Sequence, residues 1–154
     1  MVAPHTSNWD FVIGVVAMFA LGVRVSWLGK HTVFRRPFGG IMRWLGGIAV
    51  DRSAAGGVVE TTVARLRHDR QLLLGLSPEG TRRPVERWRT GFHAIAVAAG
   101  VPIIPVSLEY RPRRIRIGSL LNPSGDLERD MADLADFFAD CSPRRPERWS
   151  GVRW

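Results

Sequence analysis

A histidine and an aspartate stand five residues apart in His5-Thr6-Ser7-Asn8-Trp9-Asp10. That spacing lets the imidazole sit in a loop before a helix, with the carboxylate in the helix's first turn. The carboxylate can then hold one ring nitrogen, fix the tautomer and support the charge formed when the ring takes a proton. The other ring nitrogen is left to act as a general base. The same residues also read as a capping box, Ser7-x-x-Asp10, ahead of an apolar run. His31, His68 and His93 have no aspartate at that spacing.

Two further stretches carry groups suited to anions. Ser77-Pro78-Glu79-Gly80-Thr81-Arg82-Arg83 follows an apolar run, and α/β folds place ligands at strand ends. Gly80 permits close backbone approach, and Arg82 and Arg83 can fork onto an anion. The other reading of this stretch is a plain polar turn. Gly75 to Glu79 lacks the second glycine of a serine-hydrolase elbow, and no Gly-Lys-Ser/Thr marks a phosphate-binding loop. Gly47-Ile48-Ala49-Val50-Asp51-Arg52-Ser53 places Arg52 at the end of a short strand, where it either reaches the same rim or lies in solvent.

The elements that must position these residues alternate, which predicts an α/β fold: one domain with a mixed, mostly parallel β-sheet flanked by helices. Asp10 to Leu21 reads as a helix, and Val23, Val25 and Trp27 as a short strand. A second helix opens at Pro37, carries Ile41, Met42 and Leu45, and stops at Gly46 and Gly47. Ile48 to Val50 is a strand, and Val59, Val63 and Leu66 sit at helical spacing. Gln71 to Leu76 reads as a buried strand. Phe92, Ile95, Ala96 and Ala99 mark a helix closed by Gly100. Val101 to Leu108 is a strand whose Pro102 and Pro105 suggest an end, edge or bulge. Arg113 to Ile117 alternates basic and apolar residues, as a strand with one wet face does. A last helix from about Asp126 to Asp140 puts Leu127, Met131, Leu134 and Phe138 on its core side. The domain is expected over 1–141, with a basic Pro- and Trp-containing tail over 142–154 that is flexible or surface-bound.

The chain has 154 residues and a net charge of +8, and Lys30 is its single lysine. Arginine suits phosphate through its two-pronged geometry. A nucleic acid, an anionic membrane or a phosphorylated small molecule would all fit that charge. Nucleic acid is set aside, because the arginines are scattered and no nucleic-acid motif is present. The single Cys141 excludes an internal disulfide and a multi-cysteine metal site, and suits a reducing compartment. Phe11 to Val23 is the longest apolar run, short of the ~20 residues that span a bilayer.

Taken in order, these stretches resemble the glycerophospholipid acyltransferase family, the lysophosphatidate acyltransferases and their relatives. The resemblance rests on His5 with Asp10, on Gly47 through Arg52, on Pro78 through Arg82, and on Val101 through Val106. Trp88-Arg89-Thr90-Gly91-Phe92 also looks like the stretch after the Glu-Gly-Thr-Arg block in a short bacterial branch. The resemblance implies that His5 is the general base and Asp10 its orienting partner. It implies that Arg52, Glu79, Gly80, Thr81 and Arg82 bind the polar or phosphate end of the acceptor. It further implies an acyl-CoA or acyl carrier protein donor, a lysophospholipid or similar hydroxyl acceptor, no bound cofactor or metal, and work at the inner face of the cell membrane from the cytoplasm. Phe11, Val15, Phe19, Phe34 and Phe38 either line an acyl groove or pack the core, and Trp9 either sits at a membrane interface or packs. This chain departs from the pattern at Ser77, where many relatives have an aromatic residue. Relatives usually have a strand before the histidine, whereas Met1 to Pro4 is too short for a full one. The N-terminal strand is therefore expected to be missing or truncated, and a dyad on a frayed end would be loosely held. The alternative function is a catalytically idle domain of the same fold that binds lipid or anions.

Overall fold

Helices and strands alternate in the computed structural model, which describes residues 1–50, 55–69, 71–81 and 83–154. The helices are α1 (Asn8–Ala20), α2 (Gly39–Trp44), α3 (Ala55–His68), α4 (Gly91–Ala99) and α5 (Leu127–Phe138). The strands are β1 (Val25–Lys30), β2 (Gly47–Val50), β3 (Leu73–Gly75), β4 (Val106–Glu109) and β5 (Arg114–Ile117). β2, β1 and β3 form a parallel sheet in that order, with Trp27 opposite Gly47 on one side and Gly75 on the other. β4 and β5 pair antiparallel.

Val2 joins the two sheets. It bridges in parallel to Leu76 on one side and Pro105 on the other. Its N–H donates to Ile104 O at 2.8 Å, and its carbonyl accepts from Val106 N at 2.9 Å. Ala3 N donates to Leu76 O at 3.0 Å, and Leu76 N donates to Met1 O at 3.0 Å. Val2 is only 2% exposed. Residues 1–3 therefore hold a central place between β3 and β4, and the loop that follows starts from a pinned strand end rather than a frayed one.

Several elements differ from the sequence reading. β1 starts at Val25 rather than Val23, because Val23 N–H closes the end of α1 on Met18 O at 3.1 Å, and α2 opens at Gly39 rather than Pro37. Three further differences each have a physical reason. The expected strand over Gln71 to Leu76 shortens to β3. Asp69 holds its start in a turn by accepting from Gln71 N (3.0 Å, side chain) and Leu72 N (3.2 Å, carbonyl), and Leu76 bridges to Val2 of the N-terminal segment. The strand expected from Val101 begins at Val106, because Pro102 and Pro105 have no N–H to give to a ladder. The faces of β5 are reversed: Ile115 and Ile117 are exposed, and Arg116 turns inward. Arg116 donates to the buried Glu109 from Nε (3.2 Å) and Nη2 (3.1 Å), and lies 4.3 Å from the Phe137 ring centroid. A buried carboxylate demands a counter-charge, and that demand outweighs burial of two isoleucines.

The main core packs Val2, Trp88, Phe92, Ala96, Ile103, Met131, Leu134 and Phe138 together. A second cluster of Val63, Leu66, Leu74 and Ile95 lies under α3 and α4. A buried polar link ties α4 to α5: His93 Nε2 lies 2.7 Å from Asp130 Oδ2, and Asp130 also accepts from Ser124 N and Oγ. The tail after Ser142 is bound. Trp149, Val152 and Trp154 pack against the main core, the Trp149 ring meets Trp88 at 6.1 Å, and Trp88 N donates to Arg153 O at 2.6 Å.

Candidate active site

The loop from His5 to Ser7 ends at the N-cap of α1. Ser7 is extended (φ −150°, ψ 163°), and its Oγ accepts from Trp9 N at 3.0 Å. Asp10 sits in the first turn with its carboxylate folded back over the loop. Oδ2 accepts from Thr6 N and Ser7 N, each at 2.7 Å, and Oδ1 accepts from the Tyr110 hydroxyl at 2.6 Å. His5 Nδ1 lies 3.5 Å from Asp10 Oδ2. The cap and the dyad are thus one construction, since the carboxylate that closes the helix end also faces the imidazole.

Exposure separates the partners. Asp10 is 4% exposed, while the His5 side chain is 30% exposed. Nδ1 is buried and makes no well-aligned hydrogen bond among the described residues, so its contact with Asp10 is a close approach. Nδ1 is the ring nitrogen turned to the carboxylate.

Glu79 lies behind His5. Its Oε2 accepts from the His5 backbone N–H at 2.6 Å and from Ser77 Oγ at 3.3 Å, and the residue is 4% exposed. This carboxyl, which the family resemblance gives to the acceptor, is engaged by the loop that carries His5. Gly80 takes φ +65°, a region open to glycine at little cost, and its N–H closes the turn on Ser77 O at 3.1 Å. Arg89 N donates to Pro78 O at 2.9 Å and fixes the turn from the other side. Thr81 is exposed at its end. The structure therefore brings His5, Asp10, Glu79 and Gly80 together. Arg52 and Arg82 lie outside the described residues.

The electrostatics follow from burial and partners. Burial alone would raise the Asp10 carboxyl, but His5, Tyr110 and the Ser7 and Thr6 amides outweigh it and hold the group below the usual aspartate range. Burial pushes Glu79 up to about 7 against the pull of its hydrogen bonds. Burial and then the Asp10 carboxylate push the Tyr110 phenol above its ordinary value, so it remains an O–H donor. Tyr110 is the residue that sequence reasoning passed over. It is the chain's only tyrosine and follows β4 directly, but nothing local ties it to a carboxylate a hundred positions earlier. Among the described residues there is no cluster of three His, Cys, Asp or Glu side chains able to hold a metal.

A family model described as Acyltransferase matches residues 1–109. The chain is 34% identical over 128 residues to a 1-acyl-sn-glycerol-3-phosphate acyltransferase of Salmonella typhimurium, covering 79% of this chain and 51% of that protein. It is 35% identical over 129 residues to the protein of the same name from Escherichia coli, covering 79% and 51%. A Haemophilus influenzae protein of that name is 30% identical over 164 residues, covering 94% and 66%. The chain spans about half the length of the first two relatives. No solved structure matches. The family match takes in His5, Asp10 and Glu79 and ends one residue before Tyr110.

Proposed function

The chain belongs to the glycerophospholipid acyltransferase family, and from that premise we propose that it moves a fatty acyl group from a thioester carrier to the free hydroxyl of a lysophosphatidate-like acceptor. The carrier is acyl-CoA or acyl carrier protein. The observation that carries this reading is the part-exposed His5 over a buried Asp10 whose carboxylate is held by Thr6, Ser7 and Tyr110.

An alcohol is a poor nucleophile until a base takes its proton. His5 Nε2 accepts the acceptor's hydroxyl proton as the oxygen attacks the thioester carbonyl carbon. The new C–O bond forms, the C–S bond breaks, and the carrier leaves as a thiol with the proton from the imidazolium. Asp10 faces the ring throughout and stabilises its charged form. By family resemblance, Arg52 and Arg82, with Gly80 and Thr81, take the phosphate end of the acceptor. The scheme calls for no metal or bound cofactor. It is tested by giving purified protein palmitoyl-CoA or the matching acyl carrier protein with a panel of lysophospholipids. Acceptor-dependent release of free carrier is expected, and no release with any pair would sink the proposal.

Tyr110 acts through Asp10. Tyr110→Phe removes one short bond to the carboxylate and should lower turnover by about tenfold. It should also move the acid limb of the pH–rate profile upward, because a less well-held carboxylate attracts protons more strongly to the dyad. An unchanged profile would reduce Tyr110 to packing.

The acyl chain points the protein to a membrane surface. Val12, Val16 and Phe19 on α1 are exposed, as are Leu21, Phe38, Ile41 and Trp44. Trp44 is 68% exposed, and its ring lies 5.9 Å from that of Phe19, joining the two helices into one apolar face. Arg24, Arg35, Arg36 and Arg43, neighbours of these residues along the chain, are exposed as well, a charge that complements an anionic leaflet. No described helix is long and apolar enough to cross a bilayer. The reading is peripheral attachment at the inner face of the cell membrane. Phe38→Ser with Trp44→Ser should weaken binding to phosphatidylglycerol-containing vesicles by about tenfold or more. Unchanged co-flotation would place the attachment elsewhere.

A further inference from the structure

A cavity of about 230 Å³ lies between the first turn of α1 and the C-terminal tail, lined by Ser7, Asn8, Trp9, Arg144, Arg145 and Arg148. Three of its six lining residues are arginines. None of them forms an ion pair among the described residues, whose three ionic contacts join other side chains. Arg144 is steadied by aromatic rings instead of a carboxylate: its guanidinium carbon lies 5.4 Å from the Trp9 ring centroid and 5.7 Å from that of Tyr110. Arg144 and Arg145 are exposed and Arg148 is half-buried, so the lining carries three like charges within reach of an anion from solvent.

The segment that carries these arginines is fixed at both ends. Ser142 donates to Glu109 Oε2 from its N and its Oγ, each at 2.8 Å, and accepts from Tyr110 N at 2.8 Å. Downstream, Pro146–Arg148 forms a short 3-10 turn, and Trp149 packs on Trp88 and Phe138. A polar segment held this way pays little ordering entropy on binding. The cavity also adjoins the dyad. Ser7 lines it and donates its backbone N–H to Asp10, and the Tyr110 beneath Arg144 donates to the same carboxylate. The volume falls short of the 300–1,000 Å³ usual for a whole drug-sized ligand, so it suits one charged group of a larger molecule.

We propose that this cavity is a binding site for a phosphate monoester, gripped by Arg144, Arg145 and Arg148 beside the His5–Asp10 dyad. Guanidinium forks match phosphate oxygens in number and geometry. Two substrates of the proposed reaction carry such a group: the headgroup of a lysophosphatidate-like acceptor and the 3′-phosphate of CoA. Assigning the phosphate to one of them rests on the acyltransferase reading, whereas binding itself does not.

The test uses the full chain with Arg145→Gln and Arg148→Gln combined, sparing Arg144 because it packs on two rings. A control with Arg87→Gln and Arg129→Gln removes the same charge from exposed positions away from the cavity. Equilibrium dialysis against inorganic phosphate and glycerol 3-phosphate should show binding weakened about tenfold or more in the first variant and unchanged in the control. Arg145→Gln alone should give part of that loss, which guards against misfolding of the double variant. Absence of binding to the wild-type chain, equal binding by the cavity variant, or equal loss in the control would each overturn the site. In steady-state assays of the cavity variant, a KM for lysophosphatidate raised about tenfold with the KM for acyl-CoA unchanged assigns the lipid headgroup. A raised KM for acyl-CoA, with discrimination against 3′-dephospho-CoA lost, assigns the donor. A protein without turnover would sink the acyltransferase reading and leave the dialysis result to judge the site.

Discussion

Replacing His5 by alanine is expected to lower acceptor-dependent carrier release by about 10²–10⁴-fold, the usual contribution of a positioned general base. The structure makes this substitution a clean probe. The His5 backbone N–H that donates to Glu79 survives in alanine. So do the Ser7 cap on Trp9 N and the Asp10 bonds to Thr6 and Ser7. The helix end and the loop should therefore keep their form, and lipid binding should persist. A capping role alone would predict near-normal turnover in the variant, because His5 contributes no side-chain hydrogen bond to the cap. Release above a tenth of the wild-type rate would remove His5 from the reaction. A wild-type chain with no turnover to lose would favour the idle lipid- or anion-binding domain.

What the sequence disclosed and what it hid divide along one line. Local spacing was legible. Ser7 with Asp10, the stripe of Met131, Leu134 and Phe138, and the stop at Gly100 all depend on residues within two helical turns, and each stands in the structure where its period placed it. Two readings of His5–Asp10 competed in the sequence, capping box against dyad; in the structure one carboxylate closes the helix end and also lies 3.5 Å from the imidazole. Long-range pairing was not legible. Tyr110 meets Asp10 across 100 residues, and His93 finds Asp130 across 37. Arg116 faces inward only because Glu109 does, so the alternation of β5 pointed the wrong way. The tail lacked periodicity because its hold on the core is a few tryptophan contacts and ladderless hydrogen bonds. Its arginines then read as loose charge, when the fold sets three of them around one cavity.

Glu79→Gln should remove a pH dependence from the stability of the fold. Burial pushes the Glu79 carboxyl from 4.5 to about 7. Between those values the folded chain holds a proton that the unfolded chain has released. Stability therefore falls as pH rises through this window and levels off above about 7. A shift of that size corresponds to a loss on the order of 3 kcal/mol. The Asp10, Glu109 and Asp130 carboxyls are held below their ordinary values, so their contribution is present above the unfolded range and is lost only at more acid pH. Urea unfolding at about pH 5 and pH 8 should show the wild type losing on the order of 3 kcal/mol more than Glu79→Gln. Parallel losses would mean the buried carboxyl is ionised throughout. The same variant decides what Glu79 does in the site. Glutamine keeps an oxygen for the His5 N–H, so a carboxyl that only supports the loop predicts an unchanged KM for the acceptor. A KM raised about tenfold would mean the acceptor itself meets the charge, and would return Glu79 to the role that the family resemblance gives it.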